Sequence, residues 1–273
     1  MKITYQGVDG AYSHIAAMTL FPNQEYIACD SFEKAMTLVA DNIADKAVIP
    51  VENSHAGRVS DVHFLLPKTG LHIVQEYFLR VEHQLLALAG TQLEEIERVY
   101  SHPQALAQCS VFLSKNHLQA VANIDTAQSC ELVLQGEKGK VAAIASKVAA
   151  KIYGLEIVAS NIENASNNTT RFLVMSRQSL YPPYYGGNFI TSLVFRLKHI
   201  PAALYKALGG FATNGINITK IESYLLDGRF IAAQFYIEVE AHPLQESFKN
   251  ALEELKFFAE SVNVLGAYPS ARK

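Results

Sequence analysis

Asn167-Asn168-Thr169-Thr170-Arg171-Phe172 gathers two amides, two hydroxyls and a guanidinium into a short approach to the apolar run Leu173-Val174-Met175. The apolar run reads as a strand. A strand that opens with hydroxyl and guanidinium donors suits an anion, because Arg forks onto carboxylates and a hydroxyl both donates and accepts. The same residues also suit an ordinary strand start, with Arg171 paired to a carboxylate. Two other polar groups stand in comparable places. Glu52-Asn53-Ser54 follows the apolar run 46–51, and Ser101-His102-Pro103-Gln104 follows Val99-Tyr100. Side chains just past the carboxyl end of a buried strand lie where ligands bind in open α/β sheets. Loop and helix-cap chemistry accounts for such residues as well. Gly7-Val8-Asp9-Gly10, between a strand at 3–6 and a helix at 13–20, is a turn that can present backbone N–H groups to an anion. It does not match G-x-G-x-x-G, so no dinucleotide site is read there.

The elements that must position these groups follow from patterning. Ser31 caps a helix carrying Phe32, Ala35, Met36 and Val39 on one face, and residues 59–66 are helical. Residues 71–79 and 81–89 are extended. The strand–helix rhythm then restarts. A helix carries Ala105, Leu106, Cys109, Phe112 and Leu113 inward, and strands follow at 120–124, 141–145 and 156–159. Asp125-Thr126 caps one helix, and 146–153 forms another. Two βα series joined by extended segments predict two lobes with a cleft between them. Ser179 to Asn188, rich in Pro and Gly, reads as a linker. Beyond it comes a βαββαβ pattern: a strand at 190–197, a helix after Pro201 and a strand at 216–225. An Asp227-Gly228 hairpin signal, a partner strand at 230–239 in which Ile231, Ala233, Phe235, Ile237 and Val239 alternate, a helix with Phe248, Ala251, Leu252 and Leu255, and a strand at 262–268 complete it.

Composition bounds the function. The chain has 273 residues, 49% hydrophobic and 18% charged, as expected of a soluble globular protein of one large or two domains. A net charge of -3 gives no electrostatic reason to expect nucleic acid or an anionic membrane. No apolar run reaches bilayer length, and Met1-Lys2 leads straight into Ile3-Thr4-Tyr5 without a signal segment. Cys29, Cys109 and Cys130 lack C-x-x-C spacing and read as buried thiols in a reducing cytoplasm. The nine histidines are scattered with no metal-ligand spacing, and His102 alone stands in a suggestive turn.

Pro50-Val51-Glu52-Asn53-Ser54 with Gly57, Ser101 to Gln104, Asp125-Thr126-Ala127, Asn168 to Phe172, Asn214 to Asn217 and Thr219 to Ser223 are each short and unspecific. In this order and spacing, over nearly the whole chain, they resemble the prephenate dehydratases that carry a C-terminal regulatory ACT domain. The resemblance implies an α/β fold: a two-lobed, periplasmic-binding-protein-like catalytic domain over residues 1–178, a linker at 179–189, a ferredoxin-like ACT domain at 190–268 and a tail at 269–273. It implies conversion of prephenate to phenylpyruvate with loss of CO2 and water, in L-phenylalanine biosynthesis, with no metal or other cofactor. Aromatisation drives that reaction, so the protein must hold a dianion and assist departure of the ring hydroxyl. The matching positions assign Thr170 as donor to that hydroxyl, with Asn53 and Gln104 as neutral amide donors. Ser13, Ser54, Ser101 and Thr169 are implied carboxylate contacts, and Phe172 belongs to the same motif. Arg171 is either a partner for the dianion or half of a structural ion pair. Glu52 either tunes the site or bonds to the backbone.

The effector set implied for L-phenylalanine is Ala202, Ala203 and Leu204 with Asn214, Gly215, Asn217, Glu222 and Ser223. Two departures stand out. The first motif usually reads Gly-Ala-Leu, and the second usually reads Glu-Ser-Arg-Pro where this chain has Glu222-Ser223-Tyr224-Leu225. A Cβ in place of a glycine hydrogen can crowd an effector pressed on that backbone. A homodimer or dimer of dimers through the ACT domains, in the cytoplasm, is expected. The rival readings are arogenate dehydratase, which needs an acceptor for an ammonium group, and a non-catalytic amino-acid sensor. A secreted solute-binding protein is disfavoured by the missing signal segment.

Overall fold

The computed structural model describes residues 1–136, 139–178, 181–225 and 232–272. The Asp227-Gly228 hairpin, Ile231, Ser179 at the start of the linker and the last residue of the tail lie outside the described residues. The chain opens with β1 (Lys2–Gln6), α1 (Tyr12–Leu20), β2 (Glu25–Cys29), α2 (Phe32–Ala40), β3 (Lys46–Asn53), the short β4 (Gly57–Arg58) and α3 (Ser60–Leu65). Ser31 caps α2 through the Lys34 N–H at 3.1 Å. β5 (His72–Arg80) and β6 (Gln84–Ala87) follow, then β7 (Arg98–Ser101), α4 (Pro103–Gln108), α5 (Ser110–Lys115), β8 (Gln119–Ala122) and α6 (Ser129–Gln135). β9 (Val141–Ala145), α7 (Lys147–Tyr153), β10 (Glu156–Ala159) and β11 (Thr169–Ser176) close this part.

One sheet has the order β2-β1-β3-β11-β5, with β4 paired to β3, and a second has the order β10-β6-β9-β7-β8. In the second sheet β9 is Val-Ala-Ala-Ile-Ala, buried along its whole length, as a central strand covered on both faces must be. Three readings are corrected here. The helix expected over 105–113 is two helices, because Cys109 leaves helical geometry at φ -111, ψ 12. Asp125 accepts the N–H groups of Ala127 and Gln128 in a turn ahead of α6, whose own N-cap is Gln128. In the turn 7–10 both glycine N–H groups are already bonded and so are not offered to an anion: Gly7 N donates to Cys29 O, Gly10 N to His14 Nδ1 at 3.0 Å, and Ala11 N beyond them to Val8 O. Gly10 is instead a close approach. At φ +89, a Cβ there would meet the Ala149 Cα at 2.9 Å, while Ser146 Oγ donates to the Gly10 carbonyl.

The remainder consists of β12 (Phe189–Leu197), α8 (Ala203–Thr213), β13 (Ile218–Leu225), β14 (Ala232–Val239), α9 (Glu246–Phe258) and β15 (Ala259–Pro269). This βαββαβ order forms an antiparallel sheet with the order β13-β14-β12-β15. Alternation on β12 and β14 sends Leu193, Phe195, Phe235 and Ile237 to one face, where Phe211 of α8 and Phe248 and Leu255 of α9 close the core.

The chain makes two compact units. The first comprises Met1–Ala35, Val48–Val59 and Phe78–Phe172, and the second Met36–Ala47, Ser60–Tyr77 and Leu173–Lys273. Within the second, β15 runs against chain from the first half of the sequence: a Cβ at Gly266 would fall 2.0 Å from the Ile73 carbonyl oxygen, so only glycine fits there. The same unit buries two carboxylates, Glu76 and Glu238. Arg272 reaches both, with Nη2 on Glu238 and Nε 3.7 Å from Glu76, while Tyr236 donates to Glu238 at 2.6 Å. The end of the chain is therefore an electrostatic clamp. Removing a cation from buried carboxylates costs several kcal/mol, less here because Arg272 is partly exposed. Arg272→Met, which keeps the aliphatic stem, is expected to lower stability by about 2–4 kcal/mol in urea denaturation.

Candidate active site

Asn53 closes β3, and the chain turns there. Its Oδ1 accepts the N–H groups of His55 (3.0 Å) and Ala56 (2.9 Å), an Asx turn that settles which end of the carboxamide is oxygen. Nδ2 consequently points toward β11, where it donates to Asn168 Oδ1 (2.8 Å) and Thr170 Oγ1 (3.0 Å). Thr170 is an acceptor in that bond, so its own proton is not used in it. The two strand ends are stitched together next to this pair. Ser54 N donates to Thr169 O (2.9 Å), Thr169 N to Ser54 Oγ (3.0 Å), and Ser54 Oγ to Asn167 O (3.2 Å). Thr169 Oγ1 donates back to Asn167 O. Ser54 and Thr169 thus hold the frame on which Asn53 and Thr170 meet.

Successive side chains of a strand take opposite faces. Glu52 and Arg171 accordingly meet on the face away from Asn53 and Thr170, with Arg171 Nη1 3.9 Å from Glu52 Oε2. The Arg171 side chain is 5% exposed and its guanidinium lies 5.9 Å from the Phe78 ring centroid. Phe172 is buried. Ser101 is fully buried with its hydroxyl donated to Ile144 O at 2.7 Å, and Ser13 is buried on α1.

A cavity of about 320 Å³ opens beside Asn168, lined also by His55, Ala56, Gln104, Ala107, Gln108, Glu163, Asn164 and Ala165. Gln104 and Gln108 share one face of α4 by their i, i+4 spacing. His102 is the N-cap of that helix, accepting the Gln104 N–H at 3.2 Å, which is a structural use of the histidine. Gln108 was not anticipated, although a second glutamine one turn after Gln104 is the pattern that would have revealed it. Asn168, inside the motif itself, was not singled out either. Glu163 brings a carboxylate to the cavity wall: its side chain is 3% exposed, Oε2 accepts the His83 N–H at 3.0 Å, and Oε1 lies 3.9 Å from Arg80. The cavity thus presents amide groups from α4 and from the segment leading into β11, with one carboxylate at its edge.

The thiols do no chemistry here. All three cysteines are buried and free, and burial pushes Cys109 and Cys130 up to about 12, so neither supplies thiolate near neutral pH. Burial also lowers the basicity of His14 and His83. His14 stacks on Tyr5 at 4.8 Å, and Asp9, 3.8 Å away, only partly opposes the shift.

In the second unit the effector candidates separate. Ala202 is the N-cap of α8, in left-handed conformation at φ +58, with Ala203 and Leu204 in the first turn. Asn214 caps the other end, donating to Gly210 O (2.8 Å) and Glu254 Oε1 (3.1 Å), and Gly215 turns the chain at φ +66. Asn217 donates to Glu240 Oε2 at 2.9 Å; Glu222 lies 3.6 Å from Lys220, and Ser223 is exposed. Eleven residues of helix, about 16 Å, separate Ala202 from Asn214, while Glu222 and Ser223 lie on β13.

The fold is a mixed α/β architecture with an amide-and-hydroxyl cluster close to a cavity. The family model for prephenate dehydratase matches residues 3–180. A bifunctional N-acyl-homoserine lactone acylase/prephenate dehydratase of Komagataeibacter europaeus is 44% identical over 98% of this chain and 96% of its own length. Arogenate dehydratase/prephenate dehydratase 2 of Arabidopsis thaliana, a chloroplastic protein, is 43% identical over 98% of this chain and 73% of its own. The structure of the Arthrobacter aurescens prephenate dehydratase in complex with L-Phe superposes with a TM-score of 0.91 at 28% identity, covering 99% of this chain and 90% of that one. The chain belongs to the prephenate dehydratase family, and it is a hydro-lyase. Among the described residues no helix is long and apolar enough to cross a membrane.

A histidine whose folded-state basicity is lowered stays neutral in the folded protein while its unfolded counterpart takes a proton. The unfolded state then binds more protons below the ordinary value of 6.5, and stability falls as pH falls through that window. Urea titrations from pH 7.5 downward are expected to show this loss beginning near 6.5, with a shallower slope in His14→Phe.

Proposed function

We propose that the protein converts prephenate to phenylpyruvate by decarboxylative dehydration. The observation that carries this reading is the Asn53–Thr170 bond, which supports the threonine in an acceptor role and keeps its proton for an incoming oxygen. A neutral hydroxyl is a weak acid, so Thr170 acts as a positioned donor to the departing ring hydroxyl while the amides on the cavity wall receive the carboxylates. Gln104 and Gln108 are the donors best placed for that task, with Asn53 acting by aligning Thr170. Arg171, buried on the far face against Glu52, serves the frame, and Ser54, Ser101 and Thr169 serve it through their backbone bonds. Phe172 is buried in β11 and Ser13 on α1, so both serve the interior.

Two further substrates have specific support. Glu163 gives the cavity the acceptor that an ammonium would need, which favours arogenate, the amino counterpart of prephenate. The 44% identical relative named as a lactone acylase makes N-acyl-homoserine lactones the third. Among the described residues no Ser, Thr or Cys lines the cavity, so an acylase reaction there would draw on Glu163 as general base to water. One experiment separates the three: product formation from each substrate by the protein and by Thr170→Val. The proposal expects prephenate turnover, with kcat lowered about 100-fold or more in the variant and KM nearly unchanged, since a donor that acts on developing charge is worth about that much. Turnover of arogenate alone moves the protein to the amino substrate. Hydrolysis of the acyl amide of an N-acyl-homoserine lactone without either dehydration removes the proposal, as does full activity of the variant.

The βαββαβ portion is read as an ACT regulatory domain that binds L-phenylalanine. Ala202 to Leu204 and Asn214 with Gly215 lie at opposite ends of α8, which suits a site completed by a second copy of the chain and hence a homodimer or dimer of dimers. Ala202 holds a left-handed conformation that costs an L-residue about 1–2 kcal/mol and glycine almost nothing. Ala202→Gly is therefore expected to raise stability by about 0.5–1 kcal/mol, after the greater chain entropy of glycine is subtracted, and to tighten L-Phe in calorimetric titration. Absence of heat with L-Phe in both forms removes the effector reading.

A further inference from the structure

The hydrogen bonds that start at Asn53 continue beyond the cavity wall. Asn168 Oδ1 accepts from Asn53, which leaves the Asn168 amino group to donate to Gln108 Oε1 at 2.9 Å. The same Gln108 oxygen meets His83 Nε2 at 2.9 Å. On the other side of the ring, His83 Nδ1 lies 2.9 Å from the Tyr12 hydroxyl, whose proton also reaches the Glu82 carbonyl at 2.8 Å. His83 is 2% exposed, and its main-chain N–H is held by Glu163.

An amide can be turned end for end, and a neutral imidazole can carry its proton on either nitrogen. Neither freedom survives here. Asn53 Oδ1 is committed to two backbone N–H groups, so its amino end must face Asn168. Turning Asn168 would set two amino groups against each other, and turning Gln108 would do the same one step further on. Each reversal would leave buried donors unpaired. The sense therefore propagates outward from Asn53, ending with the Gln108 oxygen facing the His83 ring. An oxygen there requires a proton on Nε2.

We propose that His83 is a positioning residue for the reaction, donating from Nε2–H to Gln108 Oε1 with Tyr12 bonded at Nδ1. With its oxygen occupied by His83 and Asn168, Gln108 turns its amino group to the cavity as a donor for an anionic substrate. A proton on Nδ1 alone would favour the reversed glutamine, which presents oxygen to that anion, and would loosen Asn168 and the Asn53–Thr170 bond behind it. The effect on turnover rests on the hydro-lyase reading above, whereas the proton position does not.

Two measurements test this. Nitrogen-15 spectra of histidine-labelled protein at pH 7.5, with the signal assigned by its loss in His83→Gln, are expected to show Nε2 protonated. An unprotonated Nε2 overturns the proposal. Steady-state kinetics with prephenate are then compared for His83→Leu, His83→Gln and Tyr12→Phe, each checked for its melting temperature. Leucine removes the donor, and kcat is expected to fall about ten- to a hundredfold. Glutamine can place an amide nitrogen where Nε2 stood, so it should recover most of that loss, and Tyr12→Phe should fall between the two. A folded His83→Leu with unchanged kcat overturns the proposal, and so does a glutamine variant as slow as the leucine one. If the unmodified protein turns over neither prephenate nor arogenate, the reaction reading fails, and the spectra still decide the proton position.

Discussion

The carboxamide of Asn53 can face only one way. Its oxygen is spent on the backbone of the turn that it starts, so its amino group must serve the neighbouring strand end, where it holds Asn168 and Thr170 together. The polarity of the surrounding cluster follows from that commitment, because each amide or hydroxyl takes its role from the one before it. A site assembled from neutral groups needs such an anchor. Amides and hydroxyls donate and accept equally well, so without one fixed end the same residues could present oxygens to an anion. The backbone supplies the fixed end at no cost in charge, and the stitching of Ser54 to Thr169 keeps the two strands in register around it.

Strand alternation performs the second separation. Glu52 beside Asn53, and Arg171 beside Thr170, are adjacent in sequence yet opposite in space. Arg171 is buried on one face with the partly exposed Glu52 beside it, while the neutral pair meets on the other. A guanidinium beside the Thr170 hydroxyl would draw an anion strongly, but its carboxylate partner would come with it. With both charges on the other face, the cavity takes its polar groups from four amides and His55, with Glu163 as its carboxylate. In the second unit a different device handles buried charge: Arg272, near the end of the chain, is folded back onto Glu76 and Glu238.

Helix and strand positions were legible in the sequence wherever a period was strong. The alternation along β14 and the helical spacing in α8 and α9 reproduce the observed elements, since those faces bury one side against a single core. β2 passed unnoticed because Glu25-Tyr26-Ile27-Ala28-Cys29 shows no alternation; it lies at the edge of its sheet and is only partly buried. The break at Cys109 was also hidden, because both helices keep their inward residues in phase across it. Of the site, the residue types were legible and the wiring was not. Ser101 looks identical to a substrate donor in sequence, and only the Ile144 carbonyl 2.7 Å away shows where its proton goes.

What the sequence determined by itself was the set of local commitments: which runs form strands, where they end in polar groups, and that Thr170 stands between an amide-rich approach and a buried run. Those depend on neighbours in the chain. The tertiary structure decided every pairing between distant residues. Asn53 with Thr170, Gln108 with His83 and Glu52 with Arg171 are separated by dozens of residues or more, and nothing in their spacing says which face or which atom each will offer. A hydrogen bond is selected by distance and by the partners already taken, and both exist only once the strands have been brought side by side.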